Sequence, residues 1–232
     1  QDLATSYATE LADLDNDGDL DIAVGNDNAP NVIFLNDGQG TFQRHATFGT
    51  PSSIRSLTLA DIDLDGDVDI LANARGRQNL IYFNDGSANF ENTQAFGNQV
   101  DSTIDVAVGD INNDGHPDLV LANRDSQQNL ILLNDGKTQF GERIPFGSGK
   151  DETRAIAVAD LNGDGKLDWV AGNIGKLNTV YLGDGEGGIS GTHNFGQAKG
   201  RTYALAVADM NNDGHLDIIV ANTGQQNAVF FN

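Results

Sequence analysis

Cysteine is absent from the 232 residues, which excludes a disulfide framework and any thiolate zinc site. No apolar run approaches membrane-spanning length, so no insertion into a membrane is expected. The 3.6-residue apolar period of an amphipathic helix is missing throughout, and no helix is predicted. Basic residues are scarce. Lys and Arg number 13 against 34 Asp and Glu, a formal net charge of −21, which makes phosphate backbones and anionic lipid poor partners and argues against nucleic acid. The chain opens at Gln1 with neither an initiator Met nor a signal sequence, as expected of a mature or excised piece. A composition 38% hydrophobic and 20% charged suits one soluble globular domain, residues 1–232, with a sizeable core.

What is abundant is aspartate, and it is concentrated. Asp61 to Asp69 reads Asp-Ile-Asp-Leu-Asp-Gly-Asp-Val-Asp. Oxygens of Asp61, Asp63 and Asp65 can converge on one point, Gly66 permits a sharp turn, the carbonyl of Asp67 can face inward, and Asp69 closes the shell. Carboxylates this close repel one another strongly without a cation. The pattern recurs at Asp13, Asp15, Asp17, Asp19 and Asp21, and at Asp110, Asn112, Asp114, His116 and Asp118. It returns at Asp160, Asn162, Asp164, Lys166 and Asp168, and at Asp209, Asn211, Asp213, His215 and Asp217. Asp or Asn holds positions 1, 3 and 5 of each loop, Gly position 6 and Asp position 9. Up to five Ca2+ ions are expected, with position 7 offering its carbonyl while the His116 and His215 side chains point to solvent. An EF-hand is excluded: its twelfth position needs Glu, and here holds Val24, Ala72, Leu121, Ala171 and Val220. Oxygen-ligand loops of modest affinity make sense where calcium is millimolar, so an extracellular location is expected.

The loops begin at residues 13, 61, 110, 160 and 209, and a period near fifty marks an array or a propeller. An alternating segment precedes each loop, with Thr9 and Leu11, Leu57 and Leu59, Val106 and Val108, Ile156 and Val158, or Leu205 and Val207 at every second place. This is a half-buried first strand. A denser β-branched run after the loop makes a second strand, and a polar connection leads to a third at 31–36, 79–84, 129–134, 178–183 and 227–232. Asp-Gly pairs at 37, 85, 135 and 184 then predict tight hairpins. The returning fourth strand runs from Phe42, Phe90, Phe140 or Ile189 to a Phe-Gly pair at 48, 96, 146 or 195. The predicted fold is all-β, a five-bladed propeller of about four antiparallel strands per blade. Its repeats are 1–49, 50–97, 98–147, 148–196 and 197–232, the last blade incomplete. Three closures stay open: a three-stranded blade, an edge strand from Gln1 to Ala4, or membership of a larger ring. Small residues of the first strand, among them Ala8, Ser56, Ala107, Ala155 and Ala204, would line the axis.

With Asp-x-Asp-x-Asp-Gly-x-x-Asp, an Asn-Asp-Gly hairpin and a Phe-Gly pair, the units resemble the FG-GAP and VCBS repeats of bacterial surface proteins, and through them integrin α-subunit propellers and fungal propeller lectins. The resemblance spans essentially the whole chain. It implies a calcium-binding β-propeller, usually extracellular, serving adhesion or sugar binding or attached to polysaccharide-active enzymes. No Gly-Ala-Pro follows the Phe-Gly pairs here.

Antiparallel strands put the acidic loops and Asp-Gly hairpins at one end of each repeat and the remaining connections at the other. Arg75 and Arg124 belong to that second end, with most of the basic residues. This polarity is either charge balance or a binding surface. Six residues ahead of the loops stand Tyr7, Arg55, Ile104, Arg154 and Tyr203. Tyr and Arg stack on and fork to polar ligands, and they also pack between blades; both roles fit. Trp169 replaces Ile or Leu of the other units and is read as core. His45 and His193 have no spaced partner for a zinc site or a nucleophile pair. The expected function is non-catalytic binding of a carbohydrate or a cell-surface protein, with the oligomeric state left undetermined. A polysaccharide lyase or dehydratase and a structural spacer are the alternatives.

Overall fold

The Asp-Gly pairs turn the chain back on itself at every predicted place. Gly38, Gly86, Gly136 and Gly185 have φ between 68° and 79°, a region open to glycine at little cost. The aspartate before each secures the turn from its own side chain: Asp135 Oδ1 accepts the N–H groups of Lys137 and Gln139 at 2.9 and 3.0 Å, and Asp184 Oδ1 those of Glu186 and Gly188, both at 2.8 Å. These bonds hold the Asp135 and Asp184 carboxyls below the usual carboxylate range.

The computed structural model describes residues 4–232, so Gln1, Asp2 and Leu3 of the suggested edge segment lie outside the described residues, and Ala4 belongs to no strand. Among the described residues there are seventeen strands and no helix. They pack as two compact units divided after Thr103.

The first unit holds β1 (Thr5–Ala12), β2 (Asp21–Asn36), β3 (Phe42–Ala60), β4 (Asp69–Ala74), β5 (Asn79–Phe83) and β6 (Asn92–Phe96) in one antiparallel sheet of that order. Two predicted connections are absent. Second and third strands of repeat 1 merge into β2, and its fourth strand runs on into repeat 2 as β3. The reason is pairing between the connections themselves, Asp27 with Ser53 and Ala29 with Ser52, across bulges that absorb the extra residues. Burial corrects a second expectation. Thr9 and Leu11 do not sit half-buried; Leu11 is 57% exposed. Its counterpart face on repeat 2, around Leu57, is covered by the repeat before it, where a Cβ on Gly25 would press on Leu57 and Ile54. The core joins Leu14, Ile33, Phe48, Leu57, Ile70, Tyr82, Ala88 and Phe90.

The second unit contains β7 (Thr103–Gly109) from its second residue on, β8 (Asp118–Asn123), β9 (Asn129–Leu133) and β10 (Glu142–Phe146), a sheet ordered 7-8-9-10. A second sheet takes β11 (Thr153–Ala159), β12 (Asp168–Asn173), β13 (Asn178–Gly183) and β14 (Ile189–Phe195) in sequence. The third is three-stranded: β15 (Thr202–Ala208), β16 (Asp217–Asn222) and β17 (Ala228–Phe230). β6 and β10 begin two residues later than predicted, because Phe90 and Phe140 are buried before the ladder starts. Trp169 is fully buried, stacked on Tyr181 at 5.9 Å and meeting the edge of Phe146 at 5.8 Å, as its core assignment required.

Candidate functional site

All five acidic loops share one backbone scaffold. The position 1 carboxylate accepts two N–H groups: Asp61 takes those of Asp65 at 3.1 Å and Gly66 at 3.0 Å, and Asp13, Asp110, Asp160 and Asp209 do the same in their loops. Position 5 then accepts the N–H of position 7, as Asp114 does from His116 at 2.9 Å. Position 6 glycines have φ of 82° to 100°. A second left-handed place, unrecognised in the sequence, is position 4: Asn16, Leu64, Asn113, Gly163 and Asn212 have φ of 57° to 74°. Asn and Gly visit that region readily; Leu64 hides it.

Position 9 does more than close a shell. Asp21, Asp69, Asp118, Asp168 and Asp217 are fully buried. Each accepts the N–H of position 2 on one oxygen and, on the other, that of a residue at the end of the third strand or within two residues after it: Asp69 bonds Ile62 at 3.0 Å and Asn84 at 2.9 Å. The other four repeat this pairing, with Leu14 and Asn36, Ile111 and Asn134, Leu161 and Gly183, and Met210 and Asn232. Each therefore ties its loop to the end of the neighbouring third strand. Burial pushes Asp69 up to about 7 and Asp118 to about 6, against the lowering effect of those N–H bonds.

Carboxylates converge most in the first two loops. One oxygen from each of Asp13, Asp15 and Asp21, and likewise from Asp61, Asp63 and Asp65, lies within 4.8 Å of the others. Burial raises the Asp15 and Asp63 carboxyls, and neighbouring aspartates raise them further. Asp15 Oδ1 is buried with no hydrogen-bond partner, an oxygen that a hard cation would satisfy. In the other three loops an amide stands at position 3, and its Nδ2 donates to position 5: Asn112 to Asp114 at 2.8 Å, Asn162 to Asp164 at 3.2 Å, Asn211 to Asp213 at 2.8 Å. That donor supplies internally part of what a cation would supply. Oxygen ligands on a tight loop fit calcium in kind, best in the first two loops.

Position 7 side chains lie on the hairpin glycine of their own repeat. A Cβ at Gly86 would come within 2.8 Å of Asp67 Oδ2, one at Gly136 within 2.5 Å of His116 Nε2, and one at Gly185 within 3.2 Å of Lys166; Gly38 meets Asp19. His116 is thus half-buried against a hairpin and does not point freely into solvent, whereas His215 is exposed as expected. Acidic loop and Asp-Gly hairpin do share one end of each repeat.

At the opposite end, two pairs of the candidate ligand residues come together. The Arg55 guanidinium lies over the Tyr7 ring at 4.5 Å, and Arg154 lies over Tyr203 at 4.8 Å. Tyr7 is 54% and Tyr203 38% exposed. Arg55 also reaches Ser53 Oγ at 2.8 Å and Asp27 at 3.8 Å. Arg124 is drawn away to Glu152 at 3.2 Å. Arg75 is half-buried, its N–H on the Ser53 carbonyl at 3.2 Å. Ile104 is buried. Near this end Lys176 pairs with Asp151 at 2.7 Å; burial alone would raise Asp151, but Lys176 and Ser148 hold it below the usual range.

Four overlapping stretches, residues 13–72, 65–121, 110–171 and 162–220, match the FG-GAP-like repeat. The chain belongs to the FG-GAP-like repeat family. No curated protein matches it. Each matched stretch runs from one acidic loop into the second strand of the next repeat, so it contains one junction between neighbours. Sequence reasoning had passed over the residues that make those junctions in the FG-GAP-like chain. Asn84 Nδ2 donates to the Leu14 carbonyl at 2.8 Å and Asn232 Nδ2 to that of Leu161 at 2.5 Å. Asn79 and Asn129, opening third strands, donate to Thr103 and Thr153 of the following repeat at 2.9 and 2.8 Å. Their signal was present: Asn opens the third strand of all five units.

Proposed function

We propose that this FG-GAP-like chain is a calcium-stabilised, non-catalytic binding module of the β-propeller type, each repeat a blade. It works outside the cell and takes a carbohydrate or a cell-surface protein at the end of the repeats opposite the acidic loops. The calcium half rests on five loops of one construction and on the unsatisfied, buried Asp15 Oδ1 among four other carboxylates. Calcium neutralises that charge and couples the loops to folding. The observation that carries the binding half is the recurrence of one stacked pair, Arg55 on Tyr7 and Arg154 on Tyr203, at the same repeat position. Stacking fixes the guanidinium plane and leaves a rigid, amphipathic platform partly in solvent, the chemistry that anchors polar ligands.

A glycan array probed in millimolar calcium identifies the ligand, and two variants then locate it. Tyr203→Ala or Arg154→Ala should weaken binding by about 1 to 3 kcal/mol, the range for truncating a contact anchor, with little change in melting temperature. Asp65→Ala should do the reverse. Unchanged affinity in both stacking variants, or ligand density beside the acidic loops in a crystal, would refute the placement.

A further inference from the structure

Asn162 and Gly163, at positions 3 and 4 of the fourth loop, are the one Asn-Gly pair in the chain. An asparagine side chain can be attacked at Cγ by the main-chain nitrogen of the residue that follows it, and glycine, having no Cβ, crowds that approach least. Both residues are exposed. The loop also places partners for the reaction. The Gly163 N–H donates to Asp160 Oδ1 at 2.8 Å, so an acceptor for its proton is in position. In the other four loops, among the described residues, position 1 takes the N–H groups of positions 5 and 6 and not that of position 4. Asn162 Oδ1 accepts the Asp164 N–H at 2.9 Å, a donor at the oxygen where negative charge gathers as Cγ becomes tetrahedral. Nδ2, the atom that leaves, donates to Asp164 Oδ2 at 3.2 Å. Asn112 and Asn211 hold the same place in the third and fifth loops, but the residues after them are Asn113 and Asn212.

We propose that Asn162 is a self-modifying site, and that a cation in the fourth loop protects it. Gly163 N forms a bond to Asn162 Cγ and gives its proton to Asp160; the Cγ–Nδ2 bond breaks, and Nδ2 leaves as ammonia with that proton. Water then opens the resulting succinimide ring at either carbonyl. Opening at Cγ restores the main chain with an aspartate at 162, so that the fourth loop acquires the position 3 carboxylate that Asp15 and Asp63 supply in the first two. Opening at the main-chain carbonyl leaves the chain running through the side chain as an isoaspartate. Its extra methylene between positions 3 and 4 displaces the Asp164 and Gly165 N–H groups from Asp160. Water is the only co-reactant, and nothing is oxidised. The protection rests on the calcium reading above: a cation that takes Asn162 Oδ1 as a ligand fixes the side chain against ring closure.

The test incubates the intact chain with EDTA or with calcium in mildly alkaline buffer, digests it with trypsin and follows the peptide 155–166 by mass spectrometry. In EDTA the peptide should gain, with time, the mass of an amide exchanged for a carboxyl and resolve into aspartate and isoaspartate forms, while Asn112 and Asn211 stay unchanged. With calcium at a hundred times the dissociation constant of the loop, about one loop in a hundred is empty, so the gain should slow by about a hundredfold. Gly163→Asn copies the third and fifth loops at a place where an added Cβ meets open space, and should remove the gain. No gain in EDTA, equal gain at Asn112 and Asn211, or an undiminished gain in Gly163→Asn overturns the site. Equal rates in EDTA and in calcium overturn the protection: where the melting temperature still rises with calcium the metal reading stands, and where the melts coincide both fail.

Discussion

Replacing Asp69 by Asn separates the charge of position 9 from its hydrogen bonding. The carboxylate is fully buried and burial carries it from its ordinary 3.8 to about 7. Because the folded value lies above the unfolded one, the native state binds more protons across that interval, so stability falls as pH rises from about 4 to 7. Between pH 5 and pH 8 the loss from this one group is at most about 3 kcal/mol. Asn in its place cannot titrate. It keeps one acceptor for the N–H groups of Ile62 and Asn84 and turns an NH2 toward the other, a cost of about 1 to 3 kcal/mol that does not vary with pH. Urea unfolding in chelator at pH 5 and pH 8 measures both terms. The native chain should be more stable at pH 5, and Asp69→Asn should show a shallower dependence by up to that 3 kcal/mol, with the fixed cost seen at pH 5. Saturating calcium should erase the gain on acidification, since a cation keeps the carboxylate ionised. Identical pH dependences for the two proteins in chelator would refute the assignment of a buried, proton-binding carboxylate.

Chelation should lower the melting temperature, with about 2.7 kcal/mol lost per site that had been held at a hundredfold its dissociation constant; coincident melts in EDTA and in millimolar calcium would sink the metal reading. Calorimetry should resolve tighter binding by the first two loops than by the three with Asn at position 3, and five equal sites would contradict that order. Leu64→Asn should stabilise by about 1 kcal/mol, since Leu64 holds φ at 62° where Asn is at home; a destabilised variant would mean that the loop does not hold that angle. Gly86→Ala should destabilise by about 2 kcal/mol through its φ of 79° and the approach of Asp67, and Asp67→Ala should return part of that loss in a double-mutant cycle, which strict additivity would exclude.

Local chemistry made most of the strand order readable. Asp-Gly hairpins and the acidic loops punctuate the chain at fixed offsets, and the runs between them are β-branched, so four strands per repeat follow without knowledge of any neighbour. What depended on neighbours was hidden. Thr9 and Leu11 carry the same alternation as Leu57 and Leu59, yet among the described residues only the second pair is packed under an adjoining repeat. The merging of connections into β2 and β3 came from Asp27 and Ser53 finding each other across a gap in sequence. In the loops, carboxylate spacing located the candidate ligands, but the position 9 carboxylates also bond two backbone N–H groups each, and only coordinates reveal which ones. Position 4 was masked by Leu64, a residue whose identity contradicts the angle it adopts.

The position 4 asparagines do not serve their own loops alone. Asn16 Nδ2 donates to Asp67 Oδ1 of the next repeat at 2.7 Å and reaches the Gly86 carbonyl at 3.4 Å, and Asn113 reaches toward the Gly185 carbonyl at 3.5 Å. Loop 1 and loop 2 are therefore adjoining parts of one hydrogen-bonded strip, in which ordering the first fixes an oxygen of the second. A cation entering the first loop would lower the entropy cost of organising the second. Filling of the first two loops would then be cooperative, and Asn16→Ala, which cuts the link without touching a carboxylate, would make them fill independently.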